Sequence, residues 1–342
     1  MRAAVFSVTE RGAELSRRIA DALSGRWEIT RFCFERYPSD GAQTFADLPQ
    51  KTAELFSEYD ALIFVCACGI AVRAIAPCIR SKQTDPAVIV LDDCGKFAVS
   101  LLSGHIGGAN RLAEIIAESV GAQPVITTAT DTGKKFSPDC FAAANRLYFN
   151  DFAAAKEIAA AVLRGEKIAL RTEFECTGIP PELVLAESGN YGICISRDMS
   201  EKPFGITLNM APKNIVLGIG CRKNAEYSAL TSLLRNSLGE TEIRRICEVA
   251  TIDRKSDEPC ILRLCGELKV PLKTYTAQQL AAVPGSFAKS EFVERTVGVD
   301  NVCERSAAIG GNAIILGKTA ADGVTLAAAE RNVLIDFSRK QE

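Results

Sequence analysis

The chain has 342 residues, 47% of them apolar and 24% charged, and a net charge of −2. That length exceeds one ordinary hydrophobic core and predicts two or three domains, and a mean hydropathy of +0.09 fits a globular chain rather than a disordered or membrane-embedded one. A pI near 5.8 argues against a general nucleic-acid surface, which needs clustered excess Lys and Arg, so an anionic ligand would need a local basic pocket.

The first residues, MRAAVFSVTERGAELSRR, are broken by charge too early for a signal peptide, and no run approaches a membrane span, so a cytoplasmic location is expected. Residues 3–9 read as a buried strand and 11–24 as an amphipathic helix with Leu15, Ile19 and Leu23 on its stripe. The β-α pattern recurs. ALIFVCACG (61–69) is a strand entering a glycine turn before the helical IAVRAIAPCIR, AVIVLDD (87–93) and FAVSLLSG (97–104) are strands, GANRLAEIIAESVG (108–121) is a helix, and PVITTATD (124–131) is a strand. Such alternation predicts a doubly wound α/β domain over residues 1–136, with ligands gathering beyond the carboxyl ends of the strands.

Residues 137–212 read as a smaller α+β middle domain: one long helical stretch, then short strands separated by Gly and Pro. At NIVLGIGCRKNAEYSALTSLL (214–234) the strand, glycine turn and helix restart, which predicts a C-terminal doubly wound α/β domain over 213–342.

Thirteen cysteines are scattered without a C-x-x-C pair, Cys66 and Cys68 stand one residue apart, and there is one histidine. These spacings predict small buried thiols in a reducing compartment, no disulfide and no protein-built metal centre. The single histidine, His105, lies in SGHIGGAN, where Gly104, Gly107, Gly108 and Asn110 leave the backbone barely covered at the mouth of a strand. Arg73, just past a glycine turn, and Asp131, just past a strand, would meet it there if all these strands run the same way. In the third domain, GIGCRK follows a strand but has Lys223 where a dinucleotide fingerprint needs its third glycine. A tight turn explains it equally, as does a carboxylate or phosphate received by Arg222 and Lys223 at a helix start. TIDRKSDEP places Asp253, Arg254 and Lys255 at a strand end, as a solvated loop or a functional one, and VCERSAAIGG places Glu304 at a helix start, where it would complement the dipole.

Together, GIAVRAIAPCIRSKQTDPAVIVLDDCGKFAVSLLSGHIGGANRLA with GAQPVITTATD, then GIGCRKN, then TIDRKSDE with VGVDNVCERSAAI, resemble the CbiG family of cobalamin biosynthesis, the cobalt-precorrin-5A hydrolases. The likeness spans the first and third segments; the chain departs from it at Cys66 and Cys68, and at Pro259 and Cys260. The resemblance implies an enzyme of the anaerobic corrin pathway that opens a lactone on a cobalt-bearing tetrapyrrole and releases acetaldehyde, giving cobalt-precorrin-5B. It implies no cofactor, since cobalt arrives within the substrate, and other corrin-pathway enzymes as partners. Roles then follow from chemistry. His105, Asp131 and Glu304 are the catalytic candidates, with His105 activating water and the amides of Gly107 and Gly108 holding an oxyanion. Arg73, Arg222 and Lys255 are candidates for the peripheral carboxylates, with Gly104, Asn110, Gly218, Gly220 and Asp253 completing the substrate surface. A protein that only holds or hands on a corrin intermediate is the alternative, and a nucleotide-binding regulator built on GIGCRK a further one.

Overall fold

The computed structural model describes residues 1–81, 84–104, 107–127 and 135–339. They divide into two compact units, one centred on Met1–Ala144 and one on Asn145–Ala161 with Glu166–Ser338.

The first unit is built on a seven-stranded sheet of β1 (Arg2–Ser7), β2 (Glu28–Phe34), β3 (Gln43–Phe45), β4 (Ala61–Val65), β5 (Ala87–Leu91), β6 (Phe97–Leu102) and β7 (Gln123–Val125), in the order β3-β2-β1-β4-β5-β6-β7. Every residue of β4 and β5 is buried, as expected of strands covered on both faces. Helices α1 (Glu10–Leu23) and α4 (Ala109–Val120) cover one face: Leu15 and Ile19 of α1 and Leu112 and Ile116 of α4 pack on Val5, Ile63 and Ile89. Helices α2 (Leu48–Leu55) and α3 (Cys68–Ile75) cover the other, where Phe6 stacks between Phe32 and Phe64 at 5.2 and 5.0 Å. Thr9 caps α1 by accepting from the Gly12 amide at 3.0 Å, which fixes where the chain turns from β1 into the helix.

Strands β1 to β5 run parallel, but β6 pairs antiparallel with β5, and β7 follows β6. The connection from Leu91 to Phe97 is a hairpin in which the Asp92 carboxylate accepts the amides of Cys94, Lys96 and Phe97, with Gly95 at φ 68°. The expectation that all these strands open on one edge is thereby corrected.

The second unit holds two larger sheets. Strands β8 (Leu147–Tyr148), β9 (Ile168–Thr172), β11 (Leu183–Leu185), β12 (Tyr191–Ile195) and β13 (Ile206–Pro212) form one, in the order β11-β9-β12-β13-β8; helix α5 (Pro138–Ala144, in the first unit) precedes β8, and helix α6 (Phe152–Leu163) lies between β8 and β9 in the chain. Only β8 is antiparallel, so this middle segment has parallel pairing rather than the expected α+β arrangement. Strand β10 (Glu175–Thr177) pairs outside it with the last strand, β19 (Leu334–Asp336). The other sheet runs β16-β15-β14-β18-β17, from β14 (Ile215–Cys221), β15 (Ile246–Ile252), β16 (Leu272–Tyr275), β17 (Ala313–Ala321) and β18 (Val324–Glu330). Its β14, β15 and β16 are parallel, and β17 and β18 close it as an antiparallel hairpin.

Helices α7 (Tyr227–Ser237) and α9 (Pro259–Leu268), with the short α8 (Glu240–Arg244) between them in sequence, pack on one face through Leu230, Leu234, Ile261 and Leu264. Helices α10 (Ala277–Ala281), α11 (Glu291–Val297) and α12 (Cys303–Gly310) follow; Leu280, Val302, Cys303 and Ala307 pack on the opposite face. This sheet thus has the doubly wound form the sequence predicted. At the join Lys213 is exposed but its amide donates to the Arg146 carbonyl at 2.9 Å, and Asn214 is buried. Arg245, 1% exposed, bonds the Pro212 carbonyl, Asn214 Oδ1 and the Glu330 carboxylate, and the Asn214 side chain donates to the Arg331 carbonyl.

Candidate functional site

The carboxyl ends of β14 and β15 open into a cleft of about 640 Å³, bounded by the 253–255 turn, α11, the start of α12 and the β17–β18 hairpin. A crevice beyond the ends of parallel strands is where open α/β sheets bind ligands, and this volume suits a small-molecule site. Four cations line it, Arg222, Lys223, Lys255 and Lys318, against one anion, Asp322; the rest of its wall is mostly apolar, with Ile252, Val293, Val297, Val302 and Val324. An apolar wall with four cations on it can hold an apolar body that carries acidic groups.

Of the residues expected from sequence, Gly220, Arg222 and Lys255 line this cleft together. A Cβ on Gly220 would stand 2.7 Å from Thr325 Oγ1, so the strand and hairpin close in here because the position is glycine. The Arg222 amide donates to the Gly323 carbonyl at 2.9 Å, which holds β14's end against the hairpin turn. Lys255 pairs with the buried Glu258 at 2.8 Å. Burial works to raise the Glu258 carboxyl, but the Lys255 ammonium, aided by the nearby amides of Asn224 and Ala225, outweighs it and holds the group below the usual carboxylate range. The Cys221 thiol beside them is pushed up to about 12, chiefly by burial, against the pull of Lys255.

Three expected residues of this unit stand elsewhere. Gly218 lies behind the cleft: a Cβ there would fall 1.9 Å from the Cys303 carbonyl oxygen and 2.8 Å from the Ala307 nitrogen, so this glycine lets α12 lie on β14 rather than a ligand approach it. Asp253 is exposed on its turn, accepts from the Arg254 amide at 2.8 Å, and is not among the cleft-lining residues. Glu304, 8% exposed, sits beneath the cleft wall without lining it. Its Oε2 accepts from the Ala288 amide at 2.8 Å and Asn301 Nδ2 at 2.5 Å, and its Oε1 from the Lys318 amide at 2.8 Å. It therefore ties α12, the 288 segment and β17 together, and Asn301 and Lys318, both on the cleft wall, hang from it. The neighbouring Arg305 holds Asp300 at 2.7 Å and keeps that carboxyl below its usual range.

Sequence reasoning missed Lys318, whose strand carries no turn or motif signal; Lys223, legible beside Arg222 as a receiver of carboxylate or phosphate, lines the cleft with it. Asn301 was legible only as part of VGVDNVCERSAAI, with no role attached.

In the first unit, β6 runs into Ser103 and Gly104, and α4 starts after Gly108, which takes φ 79°. The amides of Ala109 and Asn110 donate back to the carbonyls of Ser103 and Gly104 at 3.1 and 3.0 Å, and the Ser100 hydroxyl donates to Asn110 Oδ1 at 2.7 Å. A Cβ on Gly107 would stand 2.4 Å from that of Ser103, so these two residues approach this closely only with glycine at 107. His105 and Asp131 both lie outside the described residues. This loop opens where Leu102 pairs with Val88 and Ser103 Oγ bonds the Asp85 carbonyl, at the amino end of β5. Helix α3, bearing Arg73 exposed on its last turn, leaves from the opposite edge, where Val65 pairs with Leu91. The common edge expected for Arg73 and the SGHIGGAN loop is therefore not formed, because β6 is reversed. The β6 and β7 ends do share an edge, as β7 is parallel to β6.

The described residues contain no helix long and apolar enough to cross a membrane. The family pattern described as "Cobalamin synthesis G N-terminal" matches residues 50–131, and that described as "Cobalamin synthesis G C-terminus" matches residues 215–329, which include every residue lining the cleft. The cobalt-precorrin-5A hydrolase of Salmonella typhimurium is 33% identical over 341 residues, covering 94% of this chain and 96% of that protein. The protein of the same name from Priestia megaterium is 27% identical over 353 residues, covering 95% and 94%. Protein CobE of Sinorhizobium sp is 29% identical over 103 residues, 29% of this chain and 67% of its own length. With both family patterns matched in order and a relative at 33% identity along nearly its whole length, the chain belongs to the CbiG family of cobalamin synthesis proteins.

Proposed function

We propose that the chain is a cobalt-precorrin-5A hydrolase of the anaerobic cobalamin pathway, which takes its cobalt inside the substrate and needs no resident cofactor for the reaction. The observation that carries this reading is the apolar cleft ringed by Arg222, Lys223, Lys255 and Lys318, which suits a tetrapyrrole edged with acetate and propionate groups. Its membership of the family and the names of its near-full-length relatives support the same reading.

In this reading His105 takes a proton from water, and the resulting hydroxide attacks the lactone carbonyl. The amides of Gly107 and Gly108 receive the oxyanion. Collapse of the intermediate breaks the acyl–oxygen bond, leaving a carboxylate on the macrocycle and a hydroxyl on the bridging carbon. Loss of that hydroxyl's proton then breaks the carbon–carbon bond, acetaldehyde leaves, and the electron pair passes into the conjugated macrocycle. The cleft's part is to orient the pigment. Asp131 is the second candidate for a proton carrier, while Glu304, engaged by three donors, positions the cleft wall. A cytoplasmic location and hand-over from other corrin-pathway enzymes belong to the same proposal.

Incubation of the purified chain with the cobalt intermediate, with acetaldehyde followed by an NADH-linked alcohol dehydrogenase, tests it. One acetaldehyde per pigment is expected. Tight pigment binding without acetaldehyde would identify a carrier instead.

A further inference from the structure

Cys221 ends β14 and Cys260 stands in the first turn of α9, thirty-nine positions later, so no ligand spacing in the sequence pairs them. In the fold their sulfurs and a carboxylate oxygen of Glu258 lie within 4.8 Å of one another. Glu258 and Cys260 are buried, and Cys221 is half-buried on the cleft wall.

Glu258 supplies a second, independent sign. It is 6% exposed, and its Oε2 is held by Lys255. Its Oε1 is buried without a partner in hydrogen-bonding geometry. A buried carboxylate oxygen left in that state is costly; the amides of Asn224 and Ala225 stand near this carboxylate, and so do the two thiols.

We infer that Cys221, Glu258 and Cys260 form a binding site for a thiolate-seeking divalent metal ion, with Zn²⁺ the best match. Two sulfur donors exclude Mg²⁺ and Ca²⁺, which take oxygen. Zn–S bonds of about 2.3 Å and Zn–O bonds of about 2.0–2.2 Å bring tetrahedral donors roughly 3.5 Å apart, so side-chain rotation by about an ångström completes the set. Binding exchanges two S–H bonds for two S–Zn bonds and releases two protons, with no oxidant or reductant involved. Two thiolates and one carboxylate then balance Zn²⁺ and the Lys255 ammonium, so the occupied site buries no net charge. Three protein donors leave a fourth position for water. The site is separate from the hydrolysis proposed above; its occupation would pin the end of β14 to the start of α9 beside the cleft.

The test uses the full chain, reduced and stripped of metal, titrated with Zn²⁺ against a chromogenic chelator. One Zn²⁺ per chain is expected, bound at least ~100-fold more weakly by Cys260→Ala. Cys94→Ser, which alters the Asp92, Asp93 and Cys94 group on the β5–β6 hairpin, should leave that affinity unchanged. Cd²⁺ should add thiolate-to-metal absorption in the near ultraviolet that Cys260→Ala lacks. Equal Zn²⁺ affinity in wild type and Cys260→Ala, or loss of binding with Cys94→Ser, would overturn the inference. Should Cys260→Ala fail to fold, maleimide labelling of the unmutated chain decides: Zn²⁺ should protect Cys221 while the exposed Cys68 still reacts, and unprotected Cys221 would overturn it.

Discussion

Glu304→Gln separates a positioning carboxylate from a catalytic one. The native carboxylate accepts two donors on Oε2 and one on Oε1, two of the three being backbone amides. A glutamine side chain must turn its NH₂ toward one of these sets, and the cheaper orientation gives up the Lys318 amide. That loses a charge-assisted hydrogen bond, worth about 1.5–3 kcal/mol, and sets two donors face to face. At roughly 2–4 °C per kcal/mol for a unit of this size, the melting temperature should fall by about 3–12 °C. Since Lys318 and Asn301 hang from Glu304 on the cleft wall, KM for the cobalt substrate should rise several-fold, while kcat, measured well below the transition, should change less than about threefold. The assays are thermal unfolding by circular dichroism and acetaldehyde release. An unchanged melting temperature with a loss of ~10²-fold or more in kcat, the mark of a missing proton carrier, would refute this reasoning.

Gly218→Ala places a methyl group 1.9 Å from the Cys303 carbonyl oxygen, so α12 must shift; calorimetry should show about 1–3 kcal/mol of lost stability with weakened pigment binding, and a wild-type melting curve would contradict the packing described. Arg222→Gln and Lys318→Gln should each raise KM roughly tenfold at low salt with little change in kcat, and the difference should shrink in high salt; a salt-independent effect would mean the cations do not meet carboxylates. Asp300 has its pKa lowered in the folded state by Arg305, so its contribution is present above the unfolded value of about 3.9 and is lost as pH falls through the lower folded value. Asp300→Asn should therefore be less stable than wild type at neutral pH and converge with it in acid, as denaturant titrations at several pH values will show.

Most of the fold was legible because buried parallel strands carry unbroken apolar runs: ALIFV and AVIVL could only be central. The reversal of β6 was legible too, though only from the connection. DDCGK is too short for the crossover a parallel strand needs, and its Asp and Gly are hairpin residues. Reading FAVSLL by its strand pattern alone sent Arg73 and the SGHIGGAN loop to one edge. In the cleft, Gly220, Arg222 and Lys255 were found because strand ends of α/β sheets are where ligands sit. Gly218 was misplaced because a glycine that admits a helix and one that admits a ligand look alike in sequence. Lys318 and the meeting of Cys221 with Cys260 depend on pairings between distant segments, which no local pattern encodes.

The central claim is that water opens a lactone and acetaldehyde then leaves. A single turnover in water labelled with heavy oxygen, with mass analysis of the pigment, tests it most directly. One labelled oxygen should appear in a new carboxylate of the macrocycle, alongside one acetaldehyde per pigment; pigment recovered intact, or acetaldehyde released without label in the macrocycle, would contradict it.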